Sequence, residues 1–318
     1  MKTNLLTFLP TLVTVGVLAT SPVAQAASGV SVDGFIDIIF TGVDEASDGT
    51  GAGGTNPTEG KFLADAEIDF SAALSDKVTV RVDLDFQLVT NGGANVYGED
   101  SGEIEQAYFA AAISDNATLL GGVFNNPIGW EAEDAPALYQ TSHTMNWNIL
   151  DGATALHGNN VAGVAVAADM GGFTVTGALL NDLAQANEEN SLALVLNASP
   201  TKEIDLELGY VTQDTGAGDV IDINATYSTG ALTLAAEILL ADAVVDDSTM
   251  LLANYAIDGG FGVTGRYEMI NLANGGDDNK LTLAGSYEVA KNLSVLAEVS
   301  DTDSSGTMFT LEFIALIK

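Results

Sequence analysis

The chain has 318 residues and a formal net charge of −35, from 44 acidic and 9 basic residues, yet 47% of its residues are hydrophobic. It has no cysteine and only two histidines, which excludes disulfides, thiolate chemistry and a metal site built from several histidines. The acidity argues against nucleic acid as a partner, because an anionic surface repels phosphates. A fold that separates an apolar surface from an acidic one would explain both properties.

Residues 1–26 have the features of a secretory signal peptide. Lys2 supplies the positive charge, Leu5 to Leu18 is a mostly apolar stretch, and Ala24-Gln25-Ala26 is a small-x-small cleavage site. The apolar stretch is shorter than the ~20 residues that a membrane-spanning helix needs. We therefore predict export and a mature chain of 27–318 that forms one domain, with an uncleaved N-terminal anchor as the alternative.

From residue 30 onward, apolar and polar residues alternate with a period of two, which is typical of strands with two different faces. In 78–88, for example, Val78, Val80 and Val82 alternate with Thr79 and Arg81. Segments of this kind are long enough to cross a bilayer as tilted strands. The pattern predicts sixteen strands, at 30–41, 61–73, 77–90, 103–113, 117–124, 159–169, 172–181, 189–199, 203–213, 219–228, 231–241, 248–257, 260–270, 280–289, 292–301 and 305–317.

The connections between these strands alternate between short turns and longer loops rich in acids or glycine. This alternation is typical of an up-and-down membrane barrel with short periplasmic turns and longer extracellular loops. Hydrocarbon requires every backbone polar group to be paired, and the sequence offers no spanning helix, so the sheet must close. We predict an all-β, transmembrane, antiparallel barrel of about 16 strands in the outer membrane, in which 305–317 pairs with 30–41.

The polar face of the predicted strands carries many more acids than bases. Charged side chains on a lipid-facing surface would destabilise the barrel, so we expect them to face a water-filled lumen and to attract cations. No cofactor or metal site is predicted there. The predicted inward, pore-lining residues are Asp65, Glu67, Asp69, Arg81, Asp83, Asp85, Asp205, Glu207, Asp222, Glu237, Arg266, Glu268 and Glu288, and the same face continues to Glu298 and Glu312.

The longest connection, 125–158, contains both tryptophans and both histidines. Loops of this length in compact domains are usually functional or disordered, and the aromatic residues favour an ordered loop. One interpretation is a loop that folds into the lumen and narrows it, with Glu131, Glu133 and Asp134 at the constriction. The other is an external loop that packs its own aromatic residues.

The segment 103–131 resembles the OmpL-like family of β-barrel porins and, more distantly, the phosphate-selective porins. The matching residues form an E-x-A-Y strand, a turn and a G-x-F-x-x-P-x-G-x-E segment: Glu105, Ala107, Tyr108, Gly122, Phe124, Pro127, Gly129 and Glu131. The resemblance covers about 30 residues. It implies an outer-membrane location and diffusion of small solutes, and among general porins an inward third loop and a homotrimer are common. Anion selectivity is not carried over, because the basic residues that it needs are nearly absent.

The sequence therefore predicts a porin: a water-filled, cation-preferring channel for ions and small hydrophilic solutes, with lipid and small cations as its partners. The alternative is a structural or adhesive outer-membrane barrel whose acidic loops bind Ca²⁺, through Asp44, Glu45 and Asp48 or through Asp301 and Asp303. An enzyme is not expected. His143 and His157 have Ser142 and Asn159 nearby, but no nucleophile motif accompanies them.

Overall fold

Sixteen antiparallel strands form one closed sheet in the computed structural model, which describes residues 29–43, 61–88, 103–154, 156, 160–183, 189–213 and 218–318. The last strand pairs with the first, from Gly34 opposite Ile317 to Val43 opposite Met308. The strands are β1 Ser31–Val43, β2 Lys61–Ser75, β3 Val78–Leu88, β4 Glu103–Ser114, β5 Ala117–Asn125, β6 Asn160–Asp169, β7 Phe173–Leu180, β8 Ser191–Thr201, β9 Ile204–Val211, β10 Val220–Thr229, β11 Leu232–Ala241, β12 Val245–Ile257, β13 Phe261–Leu272, β14 Asp277–Ala290, β15 Leu293–Thr302 and β16 Gly306–Ile317.

The predicted fold class, strand order and closure are confirmed. Closure gives every strand two hydrogen-bonded neighbours, so no sheet edge is left unpaired in hydrocarbon. Two loops predicted as long, 242–247 and 271–279, are wrong in length, because β12 begins at Val245 and β14 at Asp277. These polar strand ends continue the ladder, with Asn271 opposite Asp277, although their side chains lack the apolar alternation on which the prediction depended.

The outer surface of the barrel is apolar, and the inner surface carries the charges. On β14, Leu281 and Leu283 are exposed, whereas Thr282 and Ala284 between them are buried. The same alternation runs along β8, where Leu194 is 55% exposed and its neighbour Val195 is fully buried. Tyrosines lie on the outward face, most of them near strand ends, a placement that suits an interfacial aromatic girdle: Tyr210, Tyr227, Tyr255, Tyr267 and Tyr287.

The two ends of the barrel differ in their connections. At the end that holds both termini of the sheet, the turns are two or three residues long, as at 76–77 and 258–260. The long connection between β5 and β6 lies at the other end and contains a 3₁₀ turn at Ala135–Ala137, the short helix α1 at Met145–Asn148 and a π-helical turn at Ile149–Ala153. No helix in the described ranges is long and apolar enough to cross a membrane.

Several sequence predictions lie outside the described residues. These are the signal peptide 1–26, the loop acids Asp44, Glu45 and Asp48, and the pair His157 and Asn159. They stay predictions. Asp301 and Asp303 lie within the described residues. Asp301 accepts a hydrogen bond from Thr307, and Asp303 accepts one from Asn279.

Candidate functional site in the barrel interior

Acidic side chains of β2 and β3 form one wall of the interior. In the strand register, Glu67 lies opposite Asp85 and Asp69 lies opposite Asp83, an arrangement in which like charges repel. Arg81 relieves part of this repulsion, because its Nε lies 2.7 Å from both carboxylate oxygens of Asp83 and its Nη2 lies 3.4 Å from Asp69 Oδ1. The strands bring six predicted residues together on this wall: Asp65, Glu67, Asp69, Arg81, Asp83 and Asp85.

A second inward cluster lies on β8 to β11. Asn197 Nδ2 donates to Glu207 Oε2 at 2.6 Å, and Asn224 Nδ2 donates to Glu207 Oε1 at 3.1 Å and to Asp222 Oδ1 at 2.8 Å. Glu237 lies beside Asp222. All five side chains are at least half buried. The hydrogen-bond donors to Glu207 and Asp222 in this cluster are therefore amides rather than basic residues.

Two predicted residues lie near the short turns instead of in the middle of the barrel. Asp205 is exposed, and its Oδ1 accepts a hydrogen bond from Ser199 Oγ at 2.6 Å. Glu288 is partly exposed and lies opposite Ser294. Both positions follow the predicted inward alternation, but they lie at the mouth of the barrel.

The third cluster surrounds Arg266 on β13, whose side chain is fully buried. Its Nε lies 2.7 Å from Glu268 Oε2, and its Nη1 lies 3.6 Å from Glu131 Oε1 in the loop. The same guanidinium donates to the backbone carbonyls of Ser142 and His143, at 2.8 and 3.0 Å. Arg266 therefore joins the wall of the barrel to the long loop.

Carboxylates of the wall bind the backbone of this loop directly. Glu298 Oε2 accepts hydrogen bonds from the N–H groups of Thr141 and Ser142, at 2.9 and 3.0 Å. Glu268 Oε1 accepts from the N–H of Met145. Glu268 and Glu298 are both at most 1% exposed. Hydrogen bonds to charged acceptors are about twice as strong as neutral ones, so this anchoring is substantial.

Glu237 provides a further anchor at the start of the loop. Its Oε1 accepts from the Trp130 N–H at 2.7 Å, and its Oε2 accepts from Asn146 Nδ2 at 2.9 Å. The indole of Trp130 donates to Thr226 Oγ1 on the neighbouring strand at 2.9 Å. The partners of the loop on β10, β11, β13 and β15 all belong to the inward face of the sheet.

Apolar packing holds the other side of the loop. Gly209 on β9 lies directly beneath Ile128, and a Cβ at this position would lie 2.3 Å from Ile128 Cγ2. Gly129 has a φ of +108°, and a Cβ there would meet Leu150 at 2.8 Å. Loop side chains join a buried apolar cluster with inward residues of β5 to β13: Leu120, Phe124, Ile128, Ile149, Leu150, Leu156, Val161, Leu180, Val195, Val211, Val220 and Leu239. The expectation that nearly every strand has a polar inner face is therefore wrong for this region.

The three acids predicted at the constriction point in different directions. Glu131 faces Arg266, and its Oε2 accepts from the Thr144 N–H and lies 3.2 Å from His143 Nδ1. Burial raises the pKa of Glu131, but the imidazole of His143 and the guanidinium of Arg266 outweigh burial and hold the pKa below its ordinary value. Glu131 therefore acts as an internal partner of the loop and of β13.

Glu133 and Asp134 face the opposite wall. Glu133 lies beside Glu105 of β4, and Asp134 lies beside Glu67 of β2. Burial and the neighbouring Glu105 raise the pKa of Glu133 to about 9. The same two causes raise the pKa of Asp134 to about 6. These two side chains, unlike Glu131, meet the acidic wall of β2 to β4.

Sequence reasoning missed several residues of this interior, and four of them are informative. Asp37 on β1 is 4% exposed and belongs to the same alternation, so the period of two could have identified it. Glu105 was assigned only to the resemblance, although it faces inward. Lys280 donates to Ser142 Oγ at 3.0 Å, and nothing in its sequence neighbourhood indicates this. Gly209 becomes informative only once its contact with the loop is known.

The arrangement around His143 does not resemble a hydrolase site. The hydroxyl of Ser142 accepts hydrogen bonds from Arg266 and Lys280, both at 3.0 Å. Cationic donors do not remove the hydroxyl proton, as activation of a serine nucleophile requires. The ring of His143 stacks on Trp147 with 3.7 Å between ring centroids. These contacts hold the loop in place.

A closed barrel with an apolar exterior, an acidic interior and an internally anchored loop defines the class of membrane channel barrels. The family described as Gram-negative porin matches residues 12–307, and the chain belongs to this family. It is accordingly an outer-membrane protein. The match shows the Gram-negative porin family but does not assign the chain to the OmpL-like or phosphate-selective subgroup.

Solved structures show the same fold at low sequence identity. A variant of the porin of Rhodobacter blastica has a TM-score of 0.62 and 17% identity, covering 91% of this chain and 100% of that chain. A loop-deletion variant of OmpT, an outer membrane protein of Vibrio cholerae, has a TM-score of 0.61 and 13% identity, covering 91% and 99%. No curated protein matches the chain.

Proposed function

We propose that this porin is a water-filled, cation-preferring channel for passive diffusion of ions and small hydrophilic solutes. The observation that carries this proposal is the charge imbalance of the inner surface. Among the described side chains there, the basic ones are Arg81, Arg266 and Lys280, and each is bonded to acids or to the loop. The remaining carboxylates give the lumen a negative potential, which raises the local concentration of cations.

The permeation path that we propose runs along the wall of β1 to β3, beside the contact of the loop with β2 and β4. On this wall Asp65, Asp69 and Asp85 are only partly buried, whereas Glu237 and Glu298 are almost fully covered by the loop. Glu133 and Asp134 would form the constriction from the loop side. The predicted pore-lining residues near the short turns, Asp205 and Glu288, would lie at the periplasmic mouth.

Conductance in different salts tests this proposal. The full chain, refolded and inserted into planar bilayers, should produce stepwise channels. Replacing K⁺ by the less mobile Li⁺ should lower the conductance clearly, whereas replacing Cl⁻ by acetate should change it little. The reverse pattern would contradict the cation preference.

A second candidate function, a structural barrel, is favoured by one observation. The loop buries an apolar cluster inside the barrel, with Leu156 and Val195 fully covered, so part of the lumen is filled. A barrel that is closed throughout would insert into bilayers without any conductance steps. The homotrimer and the OmpL-like subgroup stay predictions.

A further inference from the structure

The loop meets the wall of β2 to β4 in an unusual way. On its other side, loop N–H groups face carboxylates and loop carbonyls face Arg266, so donors and acceptors match. Toward β2 and β4, however, acids face acids: Glu133 lies beside Glu105, and Asp134 lies beside Glu67. Buried carboxylates in mutual contact are stable only when a proton or a cation lies between them.

The geometry of three of these acids fits a cation. One carboxylate oxygen each from Glu67, Glu105 and Asp134 lie within 4.8 Å of one another. Ca²⁺ binds oxygen at about 2.3–2.6 Å, so two of its ligands can be up to roughly 5 Å apart. Mg²⁺ keeps several of its waters and is usually bound through one or two carboxylates, so a set of three carboxylates fits Ca²⁺ better.

Glu67 provides an independent indication of a missing partner. Its side chain is 4% exposed, and its buried Oε1 has no hydrogen-bond partner among the described residues. Glu105 is oriented by Asn160, whose Nδ2 donates to Glu105 Oε1 at 3.2 Å. Glu67 therefore carries a buried acceptor oxygen without a donor, in a side chain that lies beside two other carboxylates.

Arg81 interacts electrostatically with Glu105 and Asp134, but the described contacts include no ion pair between Arg81 and either of them. A neighbouring group, Glu67 with Asp69 and Asp83, also satisfies the spacing for a cation. There, however, Arg81 already binds both oxygens of Asp83 at 2.7 Å and lies 3.4 Å from Asp69. The set of Glu67, Glu105 and Asp134 has no such ion pair among the described residues.

We propose that Glu67, Glu105 and Asp134 bind one Ca²⁺ ion, which joins the loop to the wall of β2 and β4. Glu133 lies next to the site, beside Glu105. Glu105 and Asp134 are partly exposed, so an ion can reach the site from the lumen. Binding of Ca²⁺ at this site requires the loop to lie against the wall, because Asp134 belongs to the loop. It does not require the channel to conduct ions.

Calcium titration of the full chain tests this site. The chain is refolded in detergent, stripped with a chelator and titrated with CaCl₂ by isothermal titration calorimetry in a monovalent salt buffer. We expect one ion per chain, with a Kd below about 1 mM, within the range of extracellular calcium modules. The variants Glu67→Gln and Asp134→Asn should each weaken binding by at least about tenfold, because each removes a charged ligand.

The matched control is Asp76→Asn, which removes the same charge from the exposed turn between β2 and β3. Its Kd for Ca²⁺ should equal that of the unmodified chain. If Glu67→Gln fails to fold, Glu105→Gln tests the same site. Absence of binding by the unmodified chain, or equal affinity in the site variants and the control, would overturn the site. Because the assay is done in detergent, that result would leave the proposed channel function standing.

Discussion

Glu298→Gln is the substitution that tests most sharply how the loop is held. Glu298 Oε2 accepts two backbone hydrogen bonds from the loop, at 2.9 and 3.0 Å. Bonds to a charged acceptor contribute about 1.5–3 kcal/mol each, and a neutral amide oxygen keeps roughly half of that. The loss for the pair is therefore about 1.5–3 kcal/mol. When the loop leaves, the carboxylate of Glu298 is hydrated again, and this offsets part of the difference between the carboxylate and the amide. We therefore use the lower end of this range of free energies.

A loss of about 1.4 kcal/mol raises the population of the released loop about tenfold. In single-channel recordings, Glu298→Gln should show correspondingly more frequent excursions to a higher conductance level. The control Glu288→Gln removes the same charge from the same face of the neighbouring strand, without a hydrogen bond to the loop among the described contacts. Identical excursion frequencies in the two variants would refute the anchoring role of Glu298.

Three further predictions concern the loop and the lumen. Gly209→Ala should displace the loop and raise the conductance, because the new Cβ would lie 2.3 Å from a loop side chain; Gly177→Ala, with open space around it, should not. Arg266→Met should lower the free energy of unfolding in urea by about 3–5 kcal/mol, because two buried carboxylates lose their partner; Lys202→Met, on an exposed ion pair, should leave it unchanged. The pKa of Asp134, raised to about 6, means that its charge is lost as the pH falls through 6. In calcium-free buffer between about pH 8 and pH 5, the K⁺/Cl⁻ permeability ratio should therefore fall more in the unmodified channel than in Asp134→Asn.

The barrel itself could be predicted from sequence because its signal is local. Alternation such as Leu281, Leu283 and Gly285 against Thr282 and Ala284 reflects two solvents on the two faces of one strand, and it repeats in most of the strands. Short turns and loop lengths then determine the order of the strands. Only the ends of the strands were misplaced, where both faces meet water and the alternation stops.

The docking of the loop could not be predicted, because its contacts join positions that are far apart in the chain. Glu298 and Thr141 are separated by 157 residues, and Glu237 and Trp130 by 107. Inward acids on β11, β13 and β15 look the same in sequence whether they face water or accept hydrogen bonds from a loop. The resemblance at Pro127, Gly129 and Glu131 marked the segment that docks, but it did not identify the wall that receives it.

The central claim is that the acidic interior is in contact with the permeating ions. The most direct test is the reversal potential of the unmodified channel in a tenfold KCl gradient across a planar bilayer. The account predicts a potential with the sign of K⁺ selectivity and a large share of the ideal limit of about 59 mV. A potential near zero, or one with the sign of Cl⁻ selectivity, would contradict it.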